Sequence, residues 1–145
     1  MNMVTITQFE IRLLVALLLG TAIGFERQWR HKMAGVKTNA LVSLGSALFI
    51  LLGAKILGDS SGEARIAAQI VTGIGFLGAG AIVKSDKKVT GVTTAAFIWA
   101  MSGISILIGS NMYLTPIILT LLIVLLTWIF ELVEKRLHAN HPGEE

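Results

Sequence analysis

Five stretches of this chain are each close to twenty residues long and nearly free of charge, and that feature removes most folds from consideration. A helix needs about 20 predominantly apolar residues to cross the hydrocarbon of a bilayer, because each backbone N–H and C=O must find its partner inside the segment. The stretches run over 7–25, 38–57, 66–83, 92–109 and 113–130. They predict an all-α polytopic membrane protein of about five transmembrane helices. Arg12 falls in the opening turn of the first stretch, where snorkelling to the interface is expected. The basic residues follow that stretch rather than precede it, which argues against a cleaved signal peptide.

Composition agrees. Charged residues make up 14% of the chain, against about 25% in soluble domains, and the mean hydropathy is +0.75. The net charge of +3 is too small to predict a nucleic-acid partner, so none is expected. With no cysteine, disulfides, thiolate metal sites and cysteine nucleophiles are excluded. Lys and Arg alternate between the two sides of the predicted bundle. Arg27, Arg30, Lys32, Lys37, Lys84, Lys87, Lys88, Lys135 and Arg136 lie on one side, and Arg12, Lys55 and Arg65 on the other. The positive-inside rule then places the N-terminus outside and the C-terminus in the cytoplasm.

Gly73, Gly75 and Gly78 match G-x-G-x-x-G, the spacing of a dinucleotide loop. That loop needs a strand before it, a helix after it and an acid about 20 residues on. Here a charged loop follows, and no acid occurs between Asp86 and Glu131. The glycines, with Gly80, read instead as small residues that let transmembrane helices approach closely. Glycine of this density also permits a broken helix lining a polar cavity.

The chain repeats itself at an offset of 56 residues. "AGVKTNA" at 34–40 falls on "TGVTTAA" at 90–96, and "SALFILLG" at 46–53 falls on "SGISILIG" at 102–109. Over 24–53, ten aligned pairs are identical without a gap: Gly24, Lys32, Gly35, Val36, Thr38, Ala40, Ser46, Ile50, Leu51 and Gly53 recur. Both inter-helix loops are basic, so the two hairpins are expected to point the same way, as a parallel repeat with a fifth helix added outside. Gly35 and Gly91 are expected as loop glycines, and Thr38, Thr93 or Thr94 as caps of the following helices.

Few polar residues interrupt the apolar runs. Glu26 and Arg27 close the first run, either as an interfacial ion pair or as charges inside a vestibule that contacts a cation or a partner. Asn39, Ser43 and Ser46 recur along the second run, and Gln69 and Thr72 lie in the third; hydrogen bonds between helices are expected of them. Trp29, Tyr113 and Trp128 are expected as interfacial anchors. No carboxylate falls near the middle of any run, and the histidines lie in loop or tail without metal-ligand spacing. No metal ligand is therefore assigned, no cofactor is expected beyond magnesium as a possible ion, and no catalytic constellation is visible.

Three segments in order, "GFERQWRHKMAGVKTNALVSLG", "RIAAQIVTGIGFLGAGAIVK" and "VTGVTTAAFIWA", resemble the bacterial MgtC/SapB membrane-protein family over about residues 9–130. The resemblance implies a multi-pass bacterial inner-membrane protein of about five helices, associated with growth at low magnesium and, in some members, with survival inside host cells. It implies either magnesium transport or, as the reading preferred here, non-enzymatic modulation of other membrane machinery, the ATP synthase included. By motif, Glu26 and Arg27 occupy the family's charged pair, Thr38 and Asn39 open the second motif, and Gly73, Gly75, Gly78 and Gly80 form the glycine signature. Gly91, Thr93 and Thr94 form the last. A homo-oligomer, most simply a dimer, is expected. Longer relatives carry a soluble cytoplasmic domain, whereas fifteen residues follow Phe130 here. The expectation is a transmembrane domain over 1–130 and a short, frayed cytoplasmic tail over 131–145, which Pro142 and Gly143 prevent from being helical throughout.

Overall fold

The computed structural model describes residues 6–57, 60–86 and 88–140. Lys87, His141, Pro142 and Gly143 lie outside the described residues. Five helices follow one another: α1 (Ile6–Trp29), α2 (Val36–Leu57), α3 (Ser60–Gly80), α4 (Val92–Gly109) and α5 (Leu114–Asn140). Between α3 and α4 lies a short antiparallel hairpin, β1 (Val83–Lys84) and β2 (Val89–Thr90).

The chain is an all-α polytopic membrane protein. Among the described residues, four helices, α1, α2, α4 and α5, are long and apolar enough to cross a membrane. The exception is α3, whose 21 residues span about 30 Å at 1.5 Å per residue. Its first turns carry Glu63 and Arg65, which dilute its apolarity. The third element also differs in position from the apolar run that marked it. It starts at Ser60 and ends at Gly80, so Val83 is a strand residue. The expected frayed tail is corrected as well, because α5 continues in helical form to Asn140.

Turn chemistry sets the ends. At the close of α1, His31 takes φ 55°, its N–H reaches the Gln28 carbonyl, and the Lys32 N–H reaches the Arg27 carbonyl. This is a Schellman ending, which satisfies carbonyls that a helix terminus leaves bare. Asn111 (φ 68°) ends α4 in the same way, with Met112 donating to Leu107. Pro116 sits in the first turn of α5, where its missing N–H costs nothing.

The helices α2 and α4 lie side by side as a central pair, with α1 on one flank and α3 on the other, each touching both. Outside them, α5 packs on α1 and α4. Gly20 faces Asn39 and Ser43, and Gly24 faces Val36, so α1 and α2 run antiparallel. Arg12 reaches Gly109 and Arg27 reaches Thr94, so α1 and α4 do too. The central pair is therefore parallel. Ser46 and Ser102, which align at the 56-residue offset, meet there with their hydroxyls 3.0 Å apart.

The core is Ala16 and Ile23 of α1, Ala47 of α2, and Met101, Ile104 and Ile108 of α4. Within it Ser43 donates to the Ala16 carbonyl at 2.5 Å, and Ser105 lies 2.8 Å from both Ser43 and the Met101 carbonyl. Such bonds satisfy groups that lipid cannot. Arg12 does not snorkel. It is buried, and its Nη1 donates at 2.8 Å to the carbonyl of Gly109, the last residue of α4. A cation at that helix end also meets the negative pole of the helix dipole.

Candidate functional site

Charge gathers where α1 ends, α4 begins and the second half of α5 passes. Arg27 is the pivot. Its side chain is 3% exposed. Nε and Nη2 donate to the Met33 carbonyl at 3.1 and 2.9 Å, and Nη2 also donates to Thr94 Oγ1 at 2.9 Å. The guanidinium lies over the Phe97 ring, 4.2 Å from its centroid, a cation–π contact that strengthens when desolvated. One side chain thus ties α1, its following turn and α4 together.

Glu26 and Arg27 do not form the expected ion pair. Glu26 pairs with Arg30, one turn along α1, and Arg30 pairs with Glu131 of α5. The helical rise explains the change of partner, since residues four apart share a face and adjacent residues do not. Arg30 also lies over the Trp128 ring at 5.1 Å. Between these groups is a cavity of about 690 Å3, lined on its polar side by Glu26, Arg27, Arg30, Thr93, Thr94 and Glu134. This is a vestibule at one end of the bundle.

The remaining sequence candidates divide. Thr93 and Thr94 both reach the vestibule, Thr93 exposed and Thr94 buried. Neither caps α4. The N-cap is Gly91, and no side chain bonds there. Gly91 has φ 87°, and a Cβ on it would fall on the Ala81 carbonyl, so the turn demands glycine. Thr38 is exposed on the first turn of α2 and does not line the vestibule. Asn39 is fully buried and local in action, its Nδ2 donating to the carbonyls of Ala34 and Gly35 at 2.5 and 3.0 Å. Gln69 lies elsewhere, in a groove of about 380 Å3 between α2 and α3.

The glycine signature is split. Gly78 rests on Ala95 at van der Waals distance, whereas Gly73, Gly75 and Gly80 have nothing within 4 Å of where a Cβ would stand. A packing face inside the chain is therefore not what those three form. Close approaches between helices are made instead by Gly20 and Gly24 of α1, Gly53 of α2 and Gly109 of α4, none of them singled out for packing; for Gly20 and Gly24 the signal available was their four-residue spacing. Arg30 and Glu131 were missed too. The Glu26–Arg30 spacing was readable, but the bond to Glu131 needs α5 to continue beyond its apolar run. Among the described residues, no three His, Asp or Glu side chains gather as a metal-binding group.

The MgtC family model matches residues 13–136. The chain belongs to the MgtC family. Protein MgtC of Salmonella typhimurium (strain LT2) is 50% identical over 115 residues, covering 79% of this chain and 49% of that protein. Protein MgtC of Brucella abortus (strain 2308) is 47% identical over 109 residues, covering 75% and 45%. The chain thus spans about half the length of the curated relatives it matches. No solved structure matches it. Family membership and the four apolar helices make the chain a multi-pass membrane protein.

Proposed function

We propose that this MgtC-family chain is a non-enzymatic protein of the bacterial inner membrane that supports adaptation to low magnesium by acting on other membrane proteins. Its basic loops and the end of α5 face the cytoplasm, and its two hairpins are copies of one unit. The observation that carries the reading is the filled seam between the central helices. Ser43, Ser46, Ser102 and Ser105 are buried and bonded to one another or to backbone carbonyls, beside Ala47, Ile50 and Met101. Groups already satisfied in this way hold helices together. The open, charged surface lies at the vestibule end, where a membrane partner such as the ATP synthase has access.

One observation favours a second reading, a cation carrier. The polar residues of the core lie on the seam between the hairpins, where carriers built from repeats place their path. Magnesium flux into liposomes holding only the purified, folded protein separates the two. The partner reading expects no flux above empty liposomes at any gradient or membrane potential, and crosslinked partners in native membranes. Flux that Ser46→Ala or Glu26→Gln lowers without unfolding would establish the carrier instead.

A further inference from the structure

The outer face of α3 carries a seam that the rest of the chain leaves bare. Gln69, Gly73, Phe76 and Gly80 follow one another at spacings of four, three and four, and all of them are exposed. That is the heptad spacing at which one helix meets another along its length. Nothing lies within 4 Å of where a Cβ on Gly73 or Gly80 would stand, and Phe76 is 83% exposed. The inner face is occupied by the chain itself. Ile66 meets Gly53 of α2, Ile74 packs with Val42 and Ile98, and Gly78 rests on Ala95 of α4.

Lipid tails cover glycine and phenylalanine well, but they do not satisfy Gln69. Its amide has N–H donors and a carbonyl acceptor, and it has no hydrogen-bond partner among the described residues. Its depth follows from its neighbours. Gln69 shares a groove with Ser46 and Phe49, which lie halfway along α2 (Val36–Leu57). Since α2 is long and apolar enough to cross the membrane, Gln69 sits near the middle of the bilayer. Headgroups are then about 15 Å away, and hydrocarbon offers neither donor nor acceptor. A bare amide at that depth is costly, and glutamine in such a place bonds across to another helix.

We propose that α3 is the interface of a parallel dimer of this chain, with the Gln69 amides of the two copies hydrogen-bonded to each other. Copies inserted the same way in one membrane are related by a two-fold axis along its normal, so each residue lies at the depth of its own counterpart. Because the amide both donates and accepts, it complements itself. Any other protein would need a polar group placed at this depth, whereas a second copy supplies one by symmetry. The Phe76 ring of each copy fills the room left by Gly73 and Gly80 of the other, a knob in a hole. A helix sheltered in this way need not meet lipid on every side, which fits the weaker apolarity of α3 beside α1, α2, α4 and α5. Assembly of this kind is independent of whether the protein carries an ion or acts on a partner.

Sedimentation equilibrium of the purified full chain in detergent micelles tests the interface. The parent should show a monomer–dimer equilibrium. Its dissociation constant should rise about tenfold in Gln69→Leu and stay near the parent value in Gln69→Asn, which keeps an amide. Circular dichroism should give the same helix content for all three, since Gln69 makes no hydrogen bond within its own chain. Position is read in native membranes. The chain has no cysteine, so Gly80→Cys should give an oxidised dimer, and Leu121→Cys, exposed on α5, should not. A monomeric parent would overturn the assignment, as would equal dissociation constants for the parent and Gln69→Leu, or Leu121→Cys crosslinking as readily as Gly80→Cys. A band joining Gly80→Cys to a different protein, with no dimer, would overturn it too and give the face to that protein.

Discussion

Helices α1 and α3 are brought together by the 56-residue offset in the sequence, yet they turn opposite faces to the bundle. The buried residues of α1 are Arg12, Ala16, Gly20, Ile23, Gly24 and Arg27. Moved by the 56-residue offset, they become Ala68, Thr72, Phe76, Ala79, Gly80 and Val83, and all six are exposed. Instead α3 buries Gly62, Ile74 and Gly78. Gly24 and Gly80 are identical in the alignment and opposite in environment. The difference teaches that a repeat in sequence transmits helices and their order, while side-chain contacts decide which face each helix presents. In α1 two buried arginines, one near each end, bind both ends of α4 and fix the rotation. Ala68 of α3 and Val83 of β1, at the matching places, offer no such bonds.

The comparison breaks most sharply at the matched glycines. A Cβ on Gly24 would stand 2.6 Å from Val36 Cα and 2.9 Å from the Gly35 carbonyl, both backbone atoms that cannot yield. Gly24→Leu should therefore cost about 3 kcal/mol or more, read as a loss of the folded state in detergent by circular dichroism. Gly80→Leu, with open space around it, should stay within about 0.5 kcal/mol of the parent. Equal effects would mean that α1 and α3 pack alike.

Next in size is the tie that α3 lacks. Arg27→Met removes three hydrogen bonds and leaves the buried Thr94 hydroxyl without its donor. The expected cost is about 2–3 kcal/mol, measured by the same unfolding. Thr94→Val should cost less, because Arg27 keeps the Met33 carbonyl. A smaller effect belongs to the seam that both hairpins share. Ser46→Ala and Ser102→Ala should each cost on the order of 1 kcal/mol. Because they break one bond between them, the double variant should cost clearly less than the two added together.

Much of this architecture was readable in the sequence, for physical reasons that also explain the gaps. Long apolar runs mark where lipid is crossed, so the number of helices was legible, and α4 was bounded at Val92–Gly109 by its glycine turn and its polar exit. The same signal stops where lipid stops. It could not report that α5 remains helical through Glu131 and Arg136, and so it missed the Arg30–Glu131 pair that walls the vestibule. Rotation was illegible for another reason. A soluble helix shows its inner face by polarity, but α3 is apolar on most sides and its glycines suit either face. Arg27 and Thr94 were each picked out, but nothing in the chain order says that residues 67 apart bond to each other.

The smallest expected effect sharpens the comparison furthest. Gly73, Gly75 and Gly80 sit in the interior or last turn of a helix with nothing within 4 Å. Alanine there should be neutral or should stabilise the single chain, by up to about 1 kcal/mol at each interior site, since it removes backbone freedom from the unfolded state without meeting a neighbour. The melting temperature of the triple alanine variant reads this, and chemical crosslinking in the same membranes reads association between copies. A rise in melting temperature with undiminished crosslinking would mean that the outward face of α3 meets only lipid. A rise accompanied by loss of crosslinked dimer would mean that these glycines admit a second chain, because the methyl groups can then obstruct only a contact that a single copy does not make. A fall in melting temperature would mean that α3 turns its glycines inward as α1 does, and the contrast between the two helices would be gone.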